Sequence, residues 1–250
     1  MMNIKNSNVP FQDFMNADLS KHWSWSNFNR HLITCEALSK LPINANVLEI
    51  GAADSPIKKM MRENFNRYDL DFIRTDVNKD YTSSRNASDQ YYFLDIEQED
   101  CWTSKPNKFD AVILCEVIEH VKKQTIVIDE CSKLLKQSGL FIVSTPTPPL
   151  EAEYERLVWP EDHECELTLK NIYKLLNYNF KVIKTIGWSM EEREFNRALE
   201  VEADIQKIYC KLKDCMPESY LRALIPLLSE PILSRQNTFI CKKRRLVEGR

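Results

Sequence analysis

The chain has 250 residues, of which 43% are hydrophobic and 28% are charged, a mixture that excludes disordered, collagen-like and coiled-coil chains. A formal net charge of −3 disfavours a nucleic-acid partner, and no run of about 20 apolar residues could span a membrane. The first residues hold no apolar signal segment, and the eight cysteines form no C-x-x-C pair. We therefore expect a cytoplasmic protein with free thiols.

Helical and strand-like segments alternate along most of the sequence. Apolar residues at helical spacing predict helices over 27–40, 55–66, 125–136 and 168–177, and a long helical region over 190–228. Short apolar runs predict strands over 47–51, 71–76, 91–95, 109–115, 140–145, 180–186 and 237–241. This alternation is typical of an α/β fold in which helices cover both faces of a mostly parallel sheet.

Four of the predicted strands end in, or are followed directly by, a glycine or an acidic residue. Gly51, Asp76, Asp95 and Glu116 each stand at or just after a strand end. Because right-handed crossovers bring the carboxyl ends of parallel strands to one edge, we expect these residues to lie around one ligand site.

The loop after the first strand has the sequence EIGAADSP over residues 49–56. Small residues here let a ligand approach the backbone, and Pro56 suits the first turn of a helix. Ala53 and Ser55 stand where a dinucleotide fingerprint would have glycines, so NAD is disfavoured. A tight strand-to-helix corner without a ligand is the alternative interpretation of this loop.

Two carboxylates at strand ends suit parts of a nucleoside. Asp76 is placed where a carboxylate can accept hydrogen bonds from both ribose hydroxyls; its alternative role is to cap the turn that follows. Asp95 and Ile96 together offer an acceptor for the exocyclic amine of adenine and an apolar contact for its ring.

The segment over 108–121, KFDAVILCEVIEHV, resembles the fourth-strand motif F-D-x-V-x-x-x-E-V-x-E-H-V of class I S-adenosylmethionine-dependent methyltransferases. The first loop is similar to that family's E-x-G-x-G-x-G at Glu49 and Gly51. Residues 134–140 resemble its L-L-K-P-G-G turn, and His163 with the following 167–180 stretch resembles its H-x-x-x-x-T…L-L…G-F block.

This resemblance implies a Rossmann-like core with a seven-stranded sheet over residues 45–187 and 236–245. We expect a helical cap over 1–44 and a helical insertion over 188–235 that serves as a lid or a homodimer face. The cofactor implied is S-adenosyl-L-methionine. Its expected contacts are Glu49, Gly51, Ala52 and Asp54 at the methionine and ribose part, Asp76 at the ribose, Asp95 and Ile96 at adenine, and Cys115 and Glu116 beside the sulfonium.

Four side chains are candidates for a general base: Glu116, Glu119, His120 and His163. If Glu116 opens a helix, Glu119 and His120 share its face. Each has a structural alternative, because Glu119 and His120 could brace that helix and His163 could be a solvated loop residue. We assign catalysis to Glu119, His120 and His163, and we assign no metal ligand.

The function expected from these residues is methyl transfer to an oxygen or nitrogen of a small molecule, such as a sugar or a secondary metabolite. One alternative is a metal-dependent 2′-O-methyltransferase of RNA 3′ ends, whose E-x-x-E-H…H ligand set is similar to Glu116, Glu119, His120 and His163. The other is a cofactor-binding protein without catalysis, which the missing glycines allow.

Segments outside the core are expected to define the substrate pocket. Residues 147–166 follow the fifth strand, and the N-terminal part contributes Trp23, Trp25, Phe28 and Arg30. We expect the N-terminal residues to close the pocket, with Arg30 meeting the cofactor carboxylate.

Overall fold

A computed structural model describes residues 22–80, 90–98, 108–147, 163–164 and 167–244. Three sequence predictions therefore lie wholly or partly outside the described residues. They concern the side chains of Trp23 and Trp25, most of the insertion over 147–166, and residues 1–21 of the N-terminal cap.

Helices and strands alternate as the sequence predicts. The helices are α1 (His22–Leu38), α2 (Ile57–Phe65), α3 (Gln124–Leu134), α4 (Leu169–Asn177), α5 (Glu192–Val201), α6 (Ala203–Leu212) and α7 (Glu218–Leu228). The strands are β1 (Asn46–Ile50), β2 (Asp71–Asp76), β3 (Tyr91–Phe93), β4 (Phe109–Cys115), β5 (Leu135–Pro146), β6 (Phe180–Ser189) and β7 (Gln236–Lys243). Short 3₁₀ turns occupy Ile118–His120 and Pro231–Leu233.

The seven strands within the described ranges form one sheet in the order β3-β2-β1-β4-β5-β7-β6. Neighbouring strands are parallel except at β7, which runs antiparallel to both β5 and β6. The predicted fold class is confirmed. The strand order reverses between β1 and β4, and such a switch leaves a crevice at the carboxyl ends of the strands where ligands bind.

Alternation along the central strands places apolar side chains on both faces of the sheet. Val47 and Ile113 pack against α1 and α2, in a cluster that includes Leu38 and Met61. On the other face, side chains such as those of Leu48, Val112, Phe141 and Phe239 pack with residues of α3 and α4, including Val127 and Leu176. Burial on both faces fixes the register of β1 and β4, and with it the position of the loops at their carboxyl ends.

The segment between β6 and β7 differs from the prediction of a long helical region. It contains three helices with breaks at Glu202 and at 213–217, and Pro217 precedes the first residue of α7. These helices enclose a small core that includes Met190, Phe195 and Ile225. The side-chain amide of Asn29 on α1 donates to the carbonyl of Ala223 on α7 at 2.8 Å, which joins the inserted helices to α1. None of the helices in the described ranges combines the length and apolar character that crossing a bilayer requires.

Candidate cofactor and acceptor site

The loop after β1 has a left-handed backbone at two positions. Gly51 has a φ of 66° and Ala53 a φ of 40°, a region that glycine adopts without strain and alanine does not. A Cβ added to Gly51 would clash with Cγ2 of Val117. Glycine is thus required at position 51 by both conformation and space, whereas Ala53 occupies a glycine-like position at a cost.

The Asp76 carboxylate holds this loop in place. Its Oδ2 accepts a hydrogen bond from the Ala53 backbone N–H at 2.8 Å, and its Oδ1 accepts from the Asn78 N–H at 2.8 Å. The hydroxyl of Tyr91 also donates to the Ala53 carbonyl at 3.0 Å. Asp76 therefore caps the following turn, as the alternative interpretation holds, and its ribose contact stays a prediction.

A cavity of about 320 Å³ lies at the carboxyl ends of β1 and β4, beneath α1; we call it the Arg30 cavity. Its volume falls in the range of small-molecule sites. It is lined by Asn27, Arg30, His31, Glu49, Ile50, Gly51, Ala52, Ala53, Asp54, Ser55, Pro56, Ile57, Ile113, Cys115 and Glu116. Six of the nine predicted cofactor contacts are in this set.

A second cavity of about 140 Å³, which we call the Asp95 cavity, holds the predicted adenine contacts. It is lined by Ile50, Gly51, Val77, Leu94, Asp95, Ile96, Glu97, Val117, His120 and Val121. Ile50 and Gly51 line both cavities, so the two lie on either side of the loop after β1. Asp76 lines neither of them.

Glu49 is a buried ion-pair partner as well as a cavity residue. Its Oε2 accepts from Arg74 Nε at 3.2 Å, and the two side chains are only 3% and 4% exposed. Burial raises the pKa of Glu49, while the Arg74 charge opposes that rise. Arg74 also donates to the Ser55 carbonyl at 3.0 Å, so the pair ties β1 and β2 to the cavity loop.

Glu116 does not open a helix, so the condition under which Glu119 and His120 would share its helical face is not met. Its φ is 52°, a left-handed conformation that costs about 1–3 kcal/mol in a non-glycine residue and is common at functional sites. The 3₁₀ turn begins only at Ile118, so Glu119 and His120 do not share a helical face with Glu116. Instead, Glu116 Oε1 accepts from Ser144 Oγ at 2.8 Å.

Burial raises the pKa of the Glu116 carboxyl, and the Arg30 charge, the Ser144 hydrogen bond and the two nearby histidines act in the opposite direction. Burial also raises the pKa of the neighbouring Cys115 thiol to about 11. Cys115 is therefore protonated at neutral pH and is a neutral wall of the cavity rather than a nucleophile.

Glu119, His120 and His163 come together beside the Asp95 cavity. One ligand atom from each of the three lies within 4.8 Å of the others, and the two imidazole rings meet edge to face with centroids 4.8 Å apart. Glu119 is buried, and its Oε2 accepts from Thr145 Oγ1 at 3.1 Å. The backbone N–H of Glu164 donates to the Glu119 carbonyl at 2.9 Å, which fixes the histidine-bearing segment against the 3₁₀ turn.

Two consecutive residues of β5 therefore donate hydrogen bonds to two different carboxylates. Ser144 contacts Glu116 and Thr145 contacts Glu119, because successive side chains of a strand point to opposite faces. Sequence reasoning missed both, as well as His31 and Trp188, which adjoin Arg30. Position at the end of a predicted strand was an available signal for Ser144 and Thr145. No local signal points to Trp188.

Comparison with known proteins decides the family. A family model described as a methyltransferase domain matches residues 12–200. The chain belongs to this family of methyltransferases. It is a member of the class I S-adenosylmethionine-dependent superfamily, as the fourth-strand motif implies.

Two solved structures share the fold of this methyltransferase. A SAM-dependent methyltransferase from Thermotoga maritima has a TM-score of 0.57 and 14% identity, over 94% of this chain and 98% of that one. A SAM-dependent methyltransferase from Archaeoglobus fulgidus has a TM-score of 0.55 and 17% identity, over 86% of this chain and 94% of that one.

A curated relative is the ubiquinone biosynthesis O-methyltransferase of Xylella fastidiosa, which is 39% identical over 54 residues. The matched segment spans 22% of this chain and 22% of the relative.

The residues of the methyltransferase fit its cofactor, whose amino-acid end has an ammonium and a carboxylate and whose sulfur is positively charged. The Arg30 cavity offers the acids Glu49 and Glu116 and the cation Arg30. The Asp95 cavity offers the carboxylates of Asp95 and Glu97 and the imidazole of His120 among apolar side chains, and an acceptor beside an apolar wall would suit adenine. The two cavities could therefore hold the charged and the aromatic parts of this cofactor respectively.

Proposed function

We propose that this methyltransferase transfers a methyl group to an oxygen or nitrogen of a small molecule. The observation that carries the proposal is the cluster of Glu119, His120 and His163. It adjoins the Asp95 cavity through His120, and both imidazoles lie near enough to Glu116 for their charges to act on its carboxyl. When bound, S-adenosylmethionine supplies a methyl group on a positively charged sulfur. The protein has to bind and align the reactants, exclude water and remove a proton from the acceptor.

Residues of the two cavities supply binding and alignment in this proposal. Glu49, Gly51, Ala52, Asp54, Cys115 and Glu116 hold the methionine part, Asp76 the ribose, and Asp95 with Ile96 the adenine. Glu116 combines burial with a strained backbone. A cation bound beside it favours its ionised form, so its charge is available for the sulfonium end of the cofactor.

The two imidazoles supply the proton acceptor in this proposal. Histidine is the most frequent general base in enzymes, and His120 and His163 are in edge-to-face contact. Glu119 lies within 4.8 Å of both imidazoles and is itself held by Thr145. A hydroxyl or protonated amine that enters beside His120 can transfer its proton to one of these rings, which leaves a lone pair on its oxygen or nitrogen free to accept the methyl group.

The contacts of the inserted helices are consistent with a role for these helices as a lid over the cofactor. Asn29 ties α1 to α7, and α1 carries three residues of the Arg30 cavity, Asn27, Arg30 and His31. Movement of α7 would therefore be transmitted to the roof of this cavity. We propose this role for the insertion over 188–235 in preference to a homodimer face.

The test uses His163→Gln, assayed with radiolabelled S-adenosylmethionine and a panel of small phenols, sugars and amines. Phenols head the panel because of the short match to an O-methyltransferase of ubiquinone biosynthesis. We expect transfer to fall at least 100-fold, a typical contribution of a general base, while affinity for S-adenosylhomocysteine changes less than threefold. Tyr178→Phe is the control, since Tyr178 is 81% exposed. Unchanged transfer in His163→Gln rejects this base.

A second candidate is divalent-metal-dependent methylation of an RNA 3′ end. The geometry that favours it is the same cluster, because one carboxylate and two imidazoles with ligand atoms within 4.8 Å can bind manganese or a similar cation. Calorimetry with Mn²⁺ distinguishes the two candidates. Micromolar binding that Glu119→Gln abolishes, with transfer to RNA ending in a 2′-hydroxyl but not a 2′-deoxy nucleotide, favours this second function.

Cofactor binding without transfer to any acceptor would favour a protein that binds the cofactor without catalysis. The left-handed Ala53 in the cofactor loop is the feature most compatible with that outcome.

A further inference from the structure

Buried polar atoms without a hydrogen-bond partner are concentrated in one part of the described chain. Eight side-chain nitrogen or oxygen atoms have this property among the residues that the structure describes, and only Asn64 Nδ2 lies elsewhere. Since a buried polar group without a partner destabilises the packing around it, the other seven weaken the packing where they lie. We call these seven atoms the polar seam: Arg30 Nε, Trp188 Nε1, Ser229 Oγ, Ser234 Oγ, Gln236 Oε1, Asn237 Oδ1 and Thr238 Oγ1.

The ends of β6 and β7 that carry most of the polar seam are covered by α1 and α7. Thr238 of β7 pairs with Ser144 of β5, so the two side chains share a face of the sheet. Two residues further along β7, Ile240 packs in the cluster that contains Leu38 of α1, which identifies this face as the one that α1 covers. Helix α7 and the second 3₁₀ turn pack on β6, and α1 packs on α7, β6 and β7.

The contact between β6 and α7 is close but poorly bonded. A Cβ added to Gly187 would overlap with Ser234 Oγ and would lie 3.2 Å from the Pro226 carbonyl oxygen of α7. The Ser234 hydroxyl therefore fills the space beside Gly187 without forming a hydrogen bond. Pro226 lies inside α7 and has no N–H, so the Arg222 carbonyl lacks its usual partner in the helix. The last turn of α7 is thus weakly held, both to the sheet and within itself.

The base of the inserted segment, in contrast, is bonded to the sheet. The Arg235 backbone N–H donates to the Ser189 carbonyl at 2.9 Å, and its Nη1 lies 3.0 Å from a Glu191 carboxylate oxygen. Asn237 Nδ2 donates to the Pro231 carbonyl of the 3₁₀ turn at 3.1 Å. Helices α5 to α7 enclose a core of their own, so they can move as one unit about this base.

The polar seam is continuous with the roof of the Arg30 cavity. The guanidinium carbon of Arg30 lies 5.7 Å from the centroid of the Trp188 ring, a cation–π distance, and Arg30 Nη2 donates to His31 Nε2 at 3.2 Å. The neighbouring Asn29 donates to the Ala223 carbonyl of α7. A movement of α7 away from β6 would therefore uncover Trp188 and displace the roof of the cavity together.

We propose that the polar seam is a gate: α7 and the N-terminal half of α1 lift from β6 and β7, and the cofactor enters and leaves the Arg30 cavity through this opening. The inference rests on the proposed function and deepens its lid. Opening brings the unpaired atoms into contact with water, which removes their penalty, so these atoms lower the free energy of opening. A cover that opens readily suits a site that must release its product after each turnover.

Thr238→Val and Ser234→Ala test the gate, because each removes an unpaired hydroxyl with little change in side-chain volume. Each should stabilise the closed form, with or without a ligand. We therefore expect association and dissociation of S-adenosylhomocysteine, measured by stopped flow with the full chain, to slow in parallel by about three- to tenfold. The dissociation constant should change by less than about twofold, because both rate constants fall by the same factor.

Exchange of the Trp188 indole hydrogen with solvent measures the opening without a ligand. This N–H is buried and unpaired among the described residues, so it exchanges when its cover lifts. NMR of protein with isotope-labelled tryptophan should show this exchange to be about three- to tenfold slower in both variants. The signal is assigned with Trp188→Phe.

Asn64→Leu is the matched control, because Asn64 Nδ2 on α2 is also buried and unpaired but lies outside the polar seam. It should change neither the ligand rates nor the indole exchange. Unchanged ligand rates in Thr238→Val and Ser234→Ala overturn the proposal. A dissociation constant that changes as much as the dissociation rate also overturns it, since the two side chains would then act on the bound ligand.

Failure of the unmodified protein to bind S-adenosylhomocysteine would reject the proposed function. The indole exchange then decides by itself whether the polar seam opens, and equal exchange in the unmodified protein and both variants would overturn the opening as well.

Discussion

The Ala53 backbone N–H donates to Asp76 Oδ2 at 2.8 Å, so the end of β2 holds the loop that follows β1. The other oxygen of the same carboxylate accepts from the Asn78 N–H. Asp76 is also the residue expected to bind the ribose. Asp76 therefore stabilises the folded loop in the absence of a ligand. Its contribution to protein stability can be measured separately from its contribution to ligand binding.

We expect Asp76→Asn to lower the free energy of unfolding by about 1–3 kcal/mol without ligand, because an amide keeps only one of the two acceptor oxygens and the other backbone N–H loses its partner. Urea unfolding measures the change. Asp71→Asn, at the exposed start of the same strand, should alter it by less than about 0.5 kcal/mol. A free energy of unfolding equal to that of the wild type in Asp76→Asn would show that this carboxylate does not stabilise the fold and would leave ligand binding as its role.

Ala53 gives a prediction of the opposite sign. Because its φ of 40° is strained for alanine, Ala53→Gly should raise the free energy of unfolding by about 0.5–1 kcal/mol, the relieved strain less the extra chain entropy of glycine. The neighbouring Ala52 is not left-handed and is buried, so Ala52→Gly should destabilise by a similar amount. Thermal denaturation of the two variants checks both signs, and a loss of stability in Ala53→Gly would contradict the strain.

The sequence predicts the parallel sheet well because apolar runs such as Val112–Leu114 are buried on both faces. It fails at β5, where Gly139 suggests a turn before a strand starting at Leu140. In the structure, β5 begins at Leu135. Its register with β4 shifts between Phe109, which pairs with Leu135, and Ala111, which pairs with Leu140, so the strand is irregular at this point. Pairing with β4 outweighs the local turn preference.

The candidate site was predictable where a residue type carries the chemistry, as at Glu49 and Asp95. It was not predictable where tertiary contacts decide. Glu116 is left-handed although glutamate has no preference for that conformation. The contact of Arg30 with Trp188 joins residues far apart in sequence, so no local pattern contains it.

Buried threonines on β5 and β7 give a matched test of the Glu119 contact. Thr145→Val removes the hydroxyl that donates to Glu119 at 3.1 Å and should cost about 1–3 kcal/mol, because a buried carboxylate loses a partner. Thr238 is also fully buried, but its hydroxyl has no hydrogen-bond partner among the residues that the structure describes, so Thr238→Val should be neutral or stabilising. Urea unfolding of both variants measures the difference, and equal changes would show that the Glu119 contact contributes nothing.

His31 predicts a pH dependence of stability. Its pKa is about 3 in the folded protein, lowered by burial and by Arg30, against about 6.5 in an unfolded chain. Between these values the unfolded state binds the extra proton, so stability falls as the pH decreases. From pH 7.5 to pH 5, this one residue should lower the free energy of unfolding by up to about 2 kcal/mol.

His31→Gln isolates that contribution, because glutamine offers an acceptor oxygen to Arg30 but does not titrate. Glu49 and Glu116 have raised pKa values, which gives their contribution the opposite slope, so the informative quantity is the difference between the two proteins rather than either curve. We expect the stability of wild type minus that of His31→Gln, from urea unfolding, to decrease by up to about 2 kcal/mol as the pH falls from 7.5 to 5. A constant difference across that range would mean that His31 takes up its proton equally in the folded and unfolded states, and that the imidazole beside Arg30 is charged at pH 5.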